Sequence, residues 1–98
     1  MLAESNQNRP LPRHLWLNRL TYRSWHRGCK ETDLLFGRFA DEVLRWLSDA
    51  ELEQYEALLE EEDSDIWKWY VGQLPLPDFL DNGVWVQFKA VNERAVSK

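Results

Sequence analysis

A single cysteine, Cys29, rules out an internal disulfide framework in this 98-residue chain, and a lone thiol fits a reducing compartment. The two histidines, His14 and His26, cannot close a structural zinc site with it unless several carboxylates join them. Basic side chains are outnumbered, 12 against 17 acids, and the net charge of −5 argues against a general nucleic-acid binder. No apolar run approaches the roughly 18 residues needed to cross a bilayer, so no membrane insertion is expected. Residues 1–10 carry Glu4 and lack both the apolar stretch of a secretory signal and the arginine pattern of a mitochondrial presequence. The expected address is a bacterial-type cytosol. Phosphate-loop, dinucleotide and zincin motifs are missing, so the chemistries they mark have no support.

What is present is apolar and aromatic: 44% hydrophobic residues, 13% aromatics and six tryptophans. That composition belongs to a folded domain, and the length to one domain. One core fits in such a chain; a deep catalytic cavity does not.

Four glycines and four prolines punctuate the chain sparsely, which makes each informative. Residues 1–13, with Pro10 and Pro12, read as a flexible lead-in, 14–94 as the folded domain and 95–98 as a tail. His14 to Trp25 is free of breakers and places Trp16, Leu20 and Tyr22 near one side of a helix, with Gly28 as its stop. A second helix is predicted from about Lys30 to Leu47, its stripe Leu35, Phe39, Val43 and Trp46 broadened by Leu34, Phe36, Ala40, Leu44 and Leu47. Ser48-Asp49-Ala50-Glu51 has the spacing of a capping box and starts a third helix with Leu52, Tyr55, Leu58 and Leu59 inside. Asp63-Ser64-Asp65 caps a short fourth helix through Ile66, Trp67, Trp69 and Tyr70, which ends at Gly72. In the last segment Val84–Phe88 could form a strand, but it would have nothing to pair with. The spacing of Leu80, Val84, Phe88 and Val91 favours a helix. The fold class is all-α, a single-domain five-helix bundle. Trp46 and Trp69 are expected in the core, with Trp16 and one of Trp67 or Trp85 closing the bundle.

Charge is segregated along the chain. Residues 1–38 hold seven basic side chains against three acids, whereas residues 39–65 hold eleven acids against Arg45 alone. The acidic block reads most simply as a solvated helix face. The basic third flanks Arg27-Gly28-Cys29-Lys30-Glu31, with Asp33 just beyond. Gly28 leaves the backbone uncovered between two helices, Arg27 offers a planar fork of donors, and Glu31 can accept hydrogen bonds. Either Arg27 and Glu31 pair with each other and pin the turn, or they reach a partner. Cys29 with His26 makes a poor nucleophile pair because no third group orients the base. No catalytic residue and no metal ligand set is expected, so the chain is read as a non-enzyme.

The run from Arg19 to Asp41, which contains Arg27-Gly28-Cys29-Lys30-Glu31-Thr32-Asp33, resembles the FAD assembly factors of succinate dehydrogenase. The likeness continues through Leu47-Ser48-Asp49, Leu58-Leu59-Glu60 and Asp63-Ser64-Asp65-Ile66-Trp67-Lys68-Trp69. This chain departs from that family with Trp25 and His26 where further arginines are frequent, and with Thr32 at a usually apolar position. The resemblance implies a chaperone that promotes covalent attachment of FAD to a histidine of the flavoprotein subunit of succinate dehydrogenase or fumarate reductase. It implies partner contacts at Arg27, Gly28, Cys29, Lys30, Glu31 and Asp33, with Arg23 and Trp25 beside them. FAD is expected to be handled on the partner, with none held stably by this chain, and the chain to act as a monomer. The alternative is an antitoxin-like protein whose acidic block contacts a basic toxin.

Overall fold

Pro12 opens the first helix: its carbonyl accepts the Leu15 and Trp16 amides at 3.0 and 2.9 Å. In the computed structural model, which describes residues 11–96, five α-helices follow: α1 Arg13–Trp25, α2 Lys30–Val43, α3 Asp49–Leu59, α4 Asp63–Val71 and α5 Gly83–Val96. No strand occurs among the described residues, so the all-α five-helix expectation holds and the last segment is helical. Residues 1–10 of the expected lead-in and 97–98 of the expected tail lie outside the described residues. Arg13 already belongs to α1 and Val96 still belongs to α5.

α2 is the central helix because its apolar positions span one broad face; Leu35, Phe36, Phe39 and Ala40 are all buried. Phe36 and Phe39 meet Phe88 of α5 at ring distances of 4.9 and 5.7 Å and Tyr55 of α3 at 5.9 and 5.1 Å. Such aromatic pairs add about 0.5–1.5 kcal/mol each beyond the area they bury. Leu80, Val84, Phe88 and Val91 are buried as their spacing predicts. Asn92 donates to the Leu35 and Phe88 carbonyls, both at 3.0 Å, tying α5 to α2. The Tyr55 hydroxyl lies 2.7 Å from Ser24 Oγ and donates to the Phe36 carbonyl, linking α1, α2 and α3. Burial drives the Tyr55 phenol well above its ordinary ionisation range.

α2 stops at Val43, short of the predicted Leu47, and tightens into a 3-10 turn at Leu44–Trp46. The tighter winding shifts the phase of the stripe. Leu44 and Leu47 point inward, and Trp46, expected in the core, is 76% exposed beside Arg45. Trp69, also expected in the core, is only half-buried, because α4 is short and seats Ile66 instead. Trp16 and Trp85 close the bundle, which leaves Trp67 on the surface.

The capping box forms as read: Ser48 Oγ accepts the Glu51 amide at 3.1 Å and Glu51 accepts the Ser48 amide at 2.8 Å. The Asp63-Ser64-Asp65 run does not cap α4. Glu62 holds the N-cap position with no side-chain bond, and the Asp63 carboxylate turns to another partner.

Candidate functional site

The turn between α1 and α2 is shaped by its own acid. Asp33, in the first turn of α2, accepts the Arg27 amide at 2.6 Å and the Gly28 amide at 3.3 Å, closing the loop over four residues. Gly28 sits at φ 101°, where a side chain would be strained, although a Cβ there would meet nothing within 4 Å. The backbone at Gly28 is therefore bare and open to solvent.

Arg27 points the other way. Its Nε pairs with Asp63 at 2.6 Å, Nη1 donates to the Leu59 carbonyl at 2.7 Å, and Nη2 donates to the Glu61 carbonyl at 2.6 Å. The guanidinium lies 4.6 Å above the Phe36 ring, and only 10% of the side chain is exposed. Thr32 Oγ1 lies 3.0 Å from the same Asp63 oxygen. One side chain thus satisfies carbonyls left over at the end of α3 and pins the start of α4 to the turn. Of the two readings open from the sequence, Arg27 does pin the turn, but through Asp63 and not through Glu31.

Glu31 is left at the surface. The Cys29 thiol donates to its Oε1 at 3.2 Å and is the main reason its carboxyl stays below the ordinary glutamate range; its own amide and Lys30 assist. Lys30 is exposed beside it. Cys29, Glu31, Asp63, Ser64 and Trp67 line one cleft of about 390 Å³. Asp63, Ser64 and Trp67 are not among the site residues expected from sequence, where Trp67 is weighed only as a residue closing the bundle; its signal is a second tryptophan on a helix too short to bury two.

The flanking residues are engaged within the chain. Arg23 reaches Glu56 of α3 at 3.2 Å and Glu60, which caps the end of α3, at 2.7 Å. The Trp25 ring covers Gly37, where a Cβ would come within 2.2 Å of it, and its Nε1 donates to Asp41 at 3.2 Å. Arg13 pairs with Asp49, and Trp16 Nε1 donates to Glu56. The acidic block is thus not simply a solvated face. Asp49, Glu56, Glu60 and Asp63 pair with Arg13, Arg23 and Arg27 of the basic third, and nothing in the fold favours the antitoxin alternative. No group of residues suited to a metal ion occurs among those described, and no described helix is long and apolar enough to cross a membrane.

The described residues thus form a small helical bundle with a bare turn, pinned by Asp33 and Arg27, and a cleft beside it. Residues 18–92 match the family described as flavinator of succinate dehydrogenase, and the chain belongs to that family. Similar curated proteins share one name, succinate dehydrogenase assembly factor 2, mitochondrial. The Meyerozyma guilliermondii protein is 48% identical over 63 residues, covering 61% of this chain and 47% of its own. The Saccharomyces cerevisiae protein is 46% identical over 63 residues, covering 61% and 39%. The Mycosarcoma maydis protein is 46% identical over 59 residues, covering 60% and 25%. The chain spans about half or less of the length of these relatives. No solved structure matches it significantly. The relatives are mitochondrial by name, and this overturns the expectation of a bacterial-type cytosolic address. That expectation rested on residues 1–10, which lie outside the matched region.

Proposed function

We propose that this chain acts in the maturation of succinate dehydrogenase as a non-catalytic assembly factor that promotes covalent attachment of FAD to the flavoprotein subunit. The observation that carries the reading is the family match across residues 18–92, which takes in the whole Arg27–Glu31 turn. The turn has a form suited to the task. Gly28 allows close backbone approach, Glu31 and Lys30 present charge to a partner, and Arg27 and Asp33 keep the turn from moving. FAD is the substrate, carried by the partner. Joining a flavin ring to a histidine requires the two to be held in one geometry, and a factor that fixes the unfinished subunit accelerates the step without contributing a reacting group.

The test measures covalent flavin on the flavoprotein subunit with the Glu31→Ala and Gly28→Leu variants, alongside their helicity. Flavin attachment is expected to fall by about tenfold or more, as for truncation of a central interface residue, with Glu31→Ala helicity unchanged. Full attachment with both variants overturns the role given to the turn.

A further inference from the structure

The cleft beside the turn has two walls from distant parts of the chain. Cys29 and Glu31 come from the start of α2, and Asp63, Ser64 and Trp67 from the first turns of α4. The two walls are joined underneath by the Arg27–Asp63 pair and by Thr32 on the same carboxylate oxygen. Their chemistry is one-sided. Among the described residues, two carboxylates, a hydroxyl, a thiol and an indole line the cleft, and no basic side chain does. The Asp63 carboxylate is already met by Arg27 and Thr32, whereas among the described residues Glu31 receives only the weak Cys29 thiol as a side-chain donor. Trp67 is 38% exposed, with Tyr70 6.0 Å from its ring on the same helix.

We propose that this cleft receives one arginine side chain of the partner flavoprotein subunit, its guanidinium lying on the Trp67 indole and donating to the Glu31 carboxylate. A planar, permanently charged fork satisfies an indole face and a carboxylate together, which a lysine ammonium does less well. At about 390 Å³ the space sits at the low end of the roughly 300–1,000 Å³ of small-molecule pockets, enough for one long side chain. A dinucleotide is disfavoured, because its pyrophosphate would face two carboxylates. In this arrangement Arg27 and Asp63 are positioning residues: they hold the Trp67 wall against the Glu31 wall and leave Glu31 free for the incoming cation. The inference rests on the assembly-factor reading for the identity of the partner only; the chemistry of the cleft stands apart from it.

The experiment therefore has two arms. In the first, the Nα-acetyl amides of arginine, lysine and norleucine, and FAD, are titrated separately into the full chain. The Trp67 indole and Glu31 amide resonances are followed, with Trp67→Leu giving the assignment. The arginine amide is expected to shift both signals saturably, and Glu31→Gln to abolish the effect. Shifts as large with the lysine amide, the norleucine amide or FAD, or no shift with the arginine amide, overturn the proposal. In the second arm, affinity for the flavoprotein subunit is measured for Glu31→Gln, Trp67→Leu and the double variant. Each single change is expected to weaken binding about tenfold, and the pair to cost less than the product of the two, as for groups that share one contact. Losses that simply multiply overturn the shared contact. Failure of the wild-type chain to bind the subunit at all defeats the assembly-factor reading, and the first arm still judges the cleft by itself.

Discussion

Among single side chains, Arg27 and Glu31 divide the work of one short motif. The sequence placed both at the turn and left open whether they met each other or a partner, because two charges four residues apart can do either. A guanidinium sealed over Phe36 with three oxygen partners is committed to the fold, while the carboxylate four residues on stays in water. Cys29 tunes that carboxylate. With its ionisation lowered in the folded chain, Glu31 contributes stability above its ordinary value of 4.5 and loses that contribution as pH falls through the lowered value. Cys29→Ala removes the main cause and is expected to raise the Glu31 titration midpoint toward 4.5, read by carboxyl NMR. Behaviour at neutral pH should be unchanged, since Glu31 is ionised there with or without the thiol. An unmoved midpoint would show that the thiol does not hold the carboxylate.

Among the helices, local rules carried most of the outcome. The capping box at Ser48, the glycine end of α4 at Gly72 and the inward stripe of α5 all formed where spacing placed them. These depend on residues within a turn or two of each other, so sequence reports them directly. The end of α2 did not follow. Extending its stripe to Trp46 assumed constant winding, but Leu47 must turn out into extended backbone so that Ser48 can cap α3, and the last turn tightens. The two tryptophans at stake separate the readings. Trp46→Gln is expected to change stability by less than about 0.5 kcal/mol, as for an exposed site, whereas Trp85→Ala should cost about 3–5 kcal/mol, as for loss of a buried indole. Thermal or denaturant unfolding of both variants decides between them, and a large loss at Trp46 would restore it to the core.

Across the whole molecule, the charge segregation of the sequence becomes charge pairing in space. Arg13, Arg23 and Arg27 of the basic third meet Asp49, Glu56, Glu60 and Asp63 of the acidic block. The pairs are not equivalent. Arg23 is 33% exposed and its partners more so, and exposed pairs contribute about 0–1 kcal/mol. Arg27 is 10% exposed, and its removal leaves the Asp63 carboxylate with Thr32 but no counter-charge and two carbonyls without their side-chain donor; Arg27→Met is expected to cost about 2–4 kcal/mol. Salt separates the two cases. Between about 0.01 and 1 M the screening length falls from about 30 to about 3 Å, so the cost of Arg23→Met should largely vanish while that of Arg27→Met persists. Equal salt sensitivity in urea unfolding would show that the Arg27 site is as wet as the Arg23 site.

Helix number, the start of α3, the end of α4, the buried stripe of α5 and the turn that carries the motif were legible in the one-dimensional chain, because each rests on hydrogen bonds and periodicities spanning only a few residues. Tyr22, Leu34 and Trp46, set on inner faces by spacing, are exposed. The partner of Arg27, 36 residues away, the covering of Gly37 by Trp25 and the meeting of Glu31 with Trp67 in one cleft were not legible there. An arginine near a run of acids has many possible partners in sequence. Only the packing of α3 and α4 against the α1–α2 turn leaves it one, by bringing Asp63 within reach and turning the other acids elsewhere.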